Sequence, residues 1–359
     1  MSLIEYKCPK CGAPLAFSPE GGTVKCEACD SEFEAEALEA LVNADALGDA
    51  AFDWGDYKKN LTGETLENMA IYNCESCGAI VESDENTVAT QCPYCGNNIV
   101  ISERAGGSLK PNAIIPFKIK KEDLPGIAKE FYKNKKLLPN DFFDLNKIGK
   151  VQGIYVPFWL FDADADGLMT FNGTRSRYYI SGNYNVTETS HYMLEREGNM
   201  SFTKIPVDAS LKMDNDIMDS IEPFDYSELT PYNGAFLAGY VADRFDSDPD
   251  NELPRADARM KQSIADHLRA TTGGYSGVTM RTQALKVFNA GVNYVFLPVY
   301  TFACKYKDKE YRYAVNGQTG KMVGELPISK AKCRIYFWKT FGIVFAVLMA
   351  IVAAGYFAW

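Results

Sequence analysis

The sequence predicts a multidomain α+β protein with two tandem four-cysteine zinc ribbons, a mostly antiparallel β-rich α+β body and one C-terminal transmembrane helix. Three observations carry this. Eight of the ten cysteines fall in CxxC pairs with one repeated spacing, the middle of the chain is rich in Tyr, Phe, Val and Thr punctuated by Asn-Gly and Gly-Asn, and the last stretch, Thr340 to Trp359, carries no charge.

The first cysteine set is Cys8, Cys11, Cys26 and Cys29, and the second is Cys74, Cys77, Cys92 and Cys95. Both place 14 residues between their pairs, they are offset by 66 residues, and each first pair runs into Gly-Ala (Gly12-Ala13, Gly78-Ala79). Repetition at one period reads as two copies of one module. Two CxxC knuckles converging on one ion is the zinc-ribbon pattern, so two structural Zn2+ ions are expected. Iron in a rubredoxin-like site is the minor alternative, since that site uses a longer gap. With four thiolates per ion no position stays open for water or substrate, so Lewis-acid catalysis is not expected. A module this small draws its folding energy from the metal.

Along the chain, ribbon 1 covers 1–35, an acidic helical or irregular linker 36–69, and ribbon 2 70–104; residues 34–51 are Ala- and Leu-rich and read as a helix. Gly106-Gly107-Ser108, closed by Pro111, marks the boundary to a body over 107–329. Within the body, residues 113–119 suggest a strand, and Leu124, Ile127, Ala128 and Phe131 recur at helical spacing. The 151–210 stretch predicts antiparallel strands. A helix is expected over 254–271, with Pro254 near its start and Gly273-Gly274 beyond its end. Tyr155–Phe161 and Phe296–Phe302 share a pattern around Pro157 and Pro298, which suggests two related strand units and places both prolines at edges or strand starts. Asn316 to Gly320 predicts a turn.

A transmembrane helix is expected over 335–359. The 20 uncharged residues from Thr340 span roughly 30 Å, the hydrocarbon thickness of a bilayer. Lys330, Lys332, Arg334 and Lys339 precede the span and nothing basic follows it, which predicts a single-pass cell-membrane protein with its N-terminal body in the cytoplasm. The N-terminal MSLIEYKCPKCG has no basic or apolar leader pattern, so no signal peptide is expected, and the Asn-x-Ser/Thr triplets at Asn60, Asn172, Asn185 and Asn199 carry no meaning on the cytoplasmic side.

Charge is unevenly placed. Residues 1–104 hold 19 acidic against 6 basic residues, −13 of a total of −10. Such a region repels phosphate, so no nucleic-acid binding is expected. No catalytic residue is identified and no enzyme is expected: His191 and His267 form no ligand or catalytic pattern, Cys304 reads as core and Cys333 as a juxtamembrane thiol. Asp162, Asp164, Asp166 and Gly167 copy the opening of a calcium loop, but Gly173 stands where the bidentate glutamate belongs, so a solvated acidic strand face is preferred.

With the paired ribbons, YVPFWLFDADADG (155–167), SIEPFDYSEL (220–229), NGQTGKMVGELP (316–327) and the apolar tail in hand, the chain resembles the bacterial double zinc-ribbon membrane proteins. Some of these are encoded near relatives of phage-shock protein A and near flotillin-like proteins. The resemblance implies a membrane-anchored cytoplasmic adaptor or scaffold in envelope stress or membrane maintenance, with such proteins as partners. A homo-oligomer stays open. The alternatives are a tethered nucleic-acid-binding ribbon protein and a membrane-associated enzyme with a site in 107–329.

Overall fold

The computed structural model describes residues 8, 13–18, 23–29, 32–34, 54–61, 63–66, 69–83, 92–95, 97, 100–105, 109–142, 151–307 and 309–357. Cys11, most of the helix expected over 34–51, the Gly106-Gly107-Ser108 boundary and Trp359 lie outside these.

The described strands are β1 (Ala16–Ser18), β2 (Thr23–Lys25), β3 (Glu32–Glu34), β4 (Met69–Asn73), β5 (Ile80–Ser83), β6 (Val100–Ala105), β7 (Ala113–Ile114), β8 (Gln152–Ser181), β9 (Tyr184–Asp208), β10 (Thr230–Pro231), β11 (Val241–Asp243), β12 (Gly277–Tyr306), β13 (Lys309–Asn316) and β14 (Met322–Gly324). The helices are α1 (Leu124–Lys133), α2 (Asn215–Ile221), α3 (Pro249–Ala270) and α4 (Lys330–Phe357). The architecture is α+β with one large, mostly antiparallel sheet. Its eleven strands follow the path β10-β7-β12-β8-β11-β5-β4-β6, with β9 on β8, β13 on β12 and β14 on β13. A separate three-stranded sheet holds β1-β2-β3.

The chain forms two compact units. The first comprises Met1–Asn60, Phe161–Ile205 and Leu253–Val292. In it the outer halves of β8 and β12 run antiparallel, as the Asp164–Asn289 and Thr170–Thr282 side-chain hydrogen bonds require. β8 turns into β9 through Ser181-Gly182-Asn183-Tyr184, where Gly182 takes φ +61°. Only a residue without Cβ enters that left-handed turn cheaply. Ile264 of α3 packs on this sheet so closely that a Cβ at Gly167 would lie 2.9 Å from its Cγ2. Gly167 is therefore set by helix-on-sheet packing. α3 starts at Pro249, five residues before the predicted start, because Pro249 occupies the first helical position, where a missing N–H costs nothing, with Asp250 and Glu252 in the first turn.

The second unit comprises Leu61–Leu160, Pro206–Glu252 and Asn293–Trp359. One core joins Val156, Phe158, Leu160, Val295, Leu297 and Val299 to Met218 and Ile221 of α2. A second lies under α1 and includes Leu124, Ala128, Tyr300, Tyr313, Val315 and Met322. α1 thus carries the predicted apolar face. The strand expected over 113–119 is shorter, limited to β7, since Pro116 has no N–H to continue a ladder. Beyond it, the amides of Lys118 and Ile119 donate to Gly317 O. The 316–320 turn forms as expected: the Asn316 Oδ1 accepts from the amides of Gln318 and Thr319, and Gly320 takes φ +78°.

Pro157 and Pro298 do not sit at strand ends. Each lies inside a 30-residue strand, at the point where one neighbour gives way to another. β8 pairs in parallel with β11 through Ile154 and Tyr155, and beyond Pro157 its partner on that side is β9. β12 pairs in parallel with β7 through Val295 and Phe296, and from Val299 it pairs with β13. At such a handover no ladder N–H is required, which admits a proline within an interior strand.

α4 is long and apolar enough to cross a membrane, and none of its Lys330–Ile351 window is buried.

Candidate metal centres

Cluster 2 grows directly out of the large sheet. β4 delivers the chain to Cys74, whose N–H donates to Ala79 O at 2.8 Å, while Gly78 N–H donates back to Cys74 O at 2.8 Å. Gly78, at φ +71°, reverses the chain so that β5 pairs antiparallel with β4, Asn73 opposite Ile80. The second knuckle repeats the device, with Cys92 N–H donating to Asn97 O at 2.7 Å. Asn97 then ties the two together: its Nδ2 donates to Ser76 Oγ at 2.7 Å and to Cys95 Sγ at 3.5 Å. Cys74 and Cys92 are buried, Cys95 half-buried and Cys77 exposed.

The sulfur geometry fits a tetrahedral ion. Cys74 and Cys95 Sγ are 3.5 Å apart, Cys77 and Cys92 Sγ 3.6 Å, and all four lie within 4.8 Å of one another. Metal–sulfur bonds of about 2.3 Å give a tetrahedron edge of about 3.8 Å, whereas a disulfide would need about 2.05 Å. The donors are all soft thiols, and an Asn amide against a ligand sulfur is the kind of outer contact that orients metal ligands.

Burial pushes the thiols of Cys77 and Cys92 up. At Cys74 burial also pulls upward, but the backbone amides of Cys77 and Ser76 outweigh it and bring the thiol down to about 7.

Cluster 1 brings together Cys8, Cys26 and Cys29, with Cys8 and Cys29 Sγ 3.6 Å apart. Cys8 N–H donates to Ala13 O at 2.7 Å, the same bond that Cys74 makes to Ala79. Its strands β1–β3 pair, among the described residues, with one another, in register Ala16–Lys25 and Lys25–Glu32. Both cysteine sets are groups able to hold a metal ion, as the spacing predicts, although Cys11 lies outside the described residues.

The other singled-out residues form no further centre. Asp164 accepts from Ser201 Oγ at 2.6 Å and Asn289 Nδ2 at 2.8 Å, which lowers its carboxyl below the usual range, and Asp162 accepts from Lys204 N at 2.8 Å. These are structural hydrogen bonds along a partly solvated strand face. Cys304 is buried in the core under α1, and Cys333 is exposed on α4. His191 on β9 and His267 on α3 are both exposed.

A buried polar network beneath cluster 2 escapes sequence reasoning. Asp243, the last residue of β11, is fully buried; its Oδ2 accepts from Ser210 Oγ at 2.6 Å and its Oδ1 from Arg244 N at 2.9 Å. Burial pushes its carboxyl up to about 6. The Tyr94 hydroxyl, inside the second knuckle, is buried with no hydrogen-bond partner among the described residues, and burial together with the nearby Asp243 charge raises its phenol well above its ordinary value. Pro93 O accepts from Thr301 Oγ1 at 2.6 Å, anchoring the knuckle to β12. Nothing in the triplet Val-Ala-Asp announces a buried acid.

No protein-family model and no solved structure matches the chain. A 47-residue stretch, 13% of the chain, is 45% identical to 96% of the DNA-directed RNA polymerase subunit Rpo12 of Thermococcus onnurineus (strain NA1). Over 347 residues, 96% of each protein, the chain is 34% identical to the uncharacterized protein YdjG of Bacillus subtilis (strain 168). Matched along nearly its whole length, the chain belongs to the YdjG family.

Proposed function

We propose that the protein is a membrane-anchored cytoplasmic adaptor whose two zinc ribbons and sheet domain bind protein partners, in envelope stress or membrane maintenance. The observation that carries this is α4. None of its Lys330–Ile351 stretch is buried, and beyond the basic first turns the run is apolar, which leaves lipid as the natural solvent for it. Basic residues before the apolar run set the body on the cytoplasmic side. The cysteine sets are closed, all-thiolate centres that serve as scaffolding for a recognition surface. The resemblance to double zinc-ribbon membrane proteins nominates a phage-shock-protein-A-like or flotillin-like partner, and tethering raises the effective concentration of whatever is bound.

A second reading, a tethered nucleic-acid-binding protein, draws on the likeness to an RNA polymerase subunit. The charge of residues 1–104 opposes it. One experiment separates the two. A chain ending at Ser329 is expected to be soluble with about two zinc ions, while the full chain resists carbonate extraction and co-isolates with a protein partner. Micromolar binding of duplex or single-stranded nucleic acid by the truncated chain at about 0.15 M salt, with no partner recovered, would replace the first reading by the second.

A further inference from the structure

α4 does not leave the body as a bare stalk. The Ser329 N–H donates to Leu137 O at 2.9 Å, and the Lys332 ammonium donates to Leu138 O at 2.7 Å and to Asn140 Oδ1. The loop after α1 is thereby fixed to the first turn of the apolar helix. Between them lies an open groove of about 260 Å3, lined by Lys135, Lys136, Leu137, Leu138, Leu326 and Ile328 among others. Its chemistry is two-sided. Ile328 is 67% exposed and supplies an apolar rim. Lys136, Lys330 and Arg334 are exposed and, among the described residues, have no acidic partner; Lys135 lies 5.0 Å from the centre of the Phe131 ring. Lys133 counts for less, being paired with Glu130 at 3.2 Å, and Lys332 is committed to the loop.

We infer that this groove, lined by Lys135 and Lys136 and followed in the chain by Lys330 and Arg334 on the first turns of α4, docks the anionic phospholipid headgroups of the leaflet that α4 enters. The inference rests on the membrane-anchored reading above. Position argues for it: Lys330 to Arg334 spans about 6 Å along the helix, the depth of a headgroup layer of roughly 5–8 Å per side. The next residues, Tyr336 and Trp338, are an aromatic pair suited to the interface level. The mixed lining argues for lipid over a free anion, because Leu137 and Ile328 match the glycerol and upper acyl carbons, while the ammonium and guanidinium groups match the phosphate. Each such cation close to an anionic surface strengthens binding on the order of fivefold. The loop then acts as a second contact that fixes how the body meets the bilayer, where a single helix would leave it free to swivel.

The test is hydrogen exchange on the full chain in nanodiscs of phosphatidylcholine alone and with about 30% phosphatidylglycerol. Peptides over residues 133–140 are expected to exchange at least about fivefold more slowly in the anionic discs, with the difference fading in about 0.5 M salt. The double variant Lys135→Glu, Lys136→Glu should abolish that difference while retaining full zinc content and α4 protection. Equal exchange in both discs with α4 protected would overturn the docking surface and leave the anchor standing. Protection of the loop by inorganic phosphate in phosphatidylcholine discs would overturn the lipid assignment in favour of a free-anion site. An α4 that exchanges freely in both discs would instead remove the anchored reading itself.

Discussion

At cluster 1 the strands that follow the cysteines pair, among the described residues, with one another, through three-residue ladders. At cluster 2 the same knuckle leads into β4 and β5, and β5 pairs with β11, so the centre is continuous with an eleven-stranded sheet. Cys74 and Cys92 belong to the same core as Val156, Phe158 and Leu297. One sequence module thus occurs in two energetic settings. A ladder of three-residue strands around cluster 1 is expected to depend on its ion, whereas cluster 2 shares its stability with the packed core of the large sheet.

The strongest way to break this comparison is Cys74→Ser. We expect loss of about one zinc by elemental analysis, together with a fall of more than about 4 kcal/mol in the main unfolding transition, because the ligand is also core. An unchanged main transition would mean that cluster 2 is as separable as cluster 1. Cys26→Ser should likewise remove about one ion, yet shift the main transition by no more than about 0.5 kcal/mol, with amide protection lost only over β1–β3. Asp243→Asn sharpens the contrast from beneath cluster 2. The folded carboxyl titrates near 6, above the ordinary value of about 3.9, so the folded state holds the proton more tightly than the unfolded chain. That contribution is complete below about pH 4 and is lost as pH rises through about 6. The variant, which cannot ionise, should therefore match the wild type only at or below about pH 4 and exceed it by about 3 kcal/mol above pH 7, read as the difference between parallel urea titrations. The smallest effect is Thr301→Val, which leaves Pro93 O without its donor. About 1 kcal/mol should be lost from the main transition, with weaker zinc retention at cluster 2 under chelator challenge and none at cluster 1.

What the sequence made legible followed local rules. Seven of the eight cysteines are brought into their two sets as the spacing predicts, the turn at Gly182 follows from the need for a positive φ, α1 from its apolar face and α4 from its uncharged run, and each of these signals sits within a few residues of the element it specifies. What escaped is non-local. The pairing of Val241–Asp243 with Val81–Glu82 and with Ile154–Tyr155 joins three stretches of chain through ladders two residues long, too short for any periodicity to betray them. Pro157 and Pro298 misled for a related reason: a lone proline reports a missing hydrogen bond but not which neighbour is changing. Asp243 reads as a surface acid until the strand that carries it is enclosed by others.

That pairing also has a timetable. Ile80–Ser83 leaves the ribosome early, but its partner Val241–Asp243 follows about 160 residues later, a wait of roughly 10–30 s at elongation rates of about 5–20 residues per second. Throughout that interval one flank of the β4–β5 hairpin is an open edge, the kind of template on which nascent chains misassemble. Cys95 emerges only a dozen residues after β5, so an ion captured at cluster 2 would clamp the hairpin in register long before the sheet exists to receive it. A metal ion present at the moment of synthesis would then favour the native register of the hairpin before its sheet partners arrive.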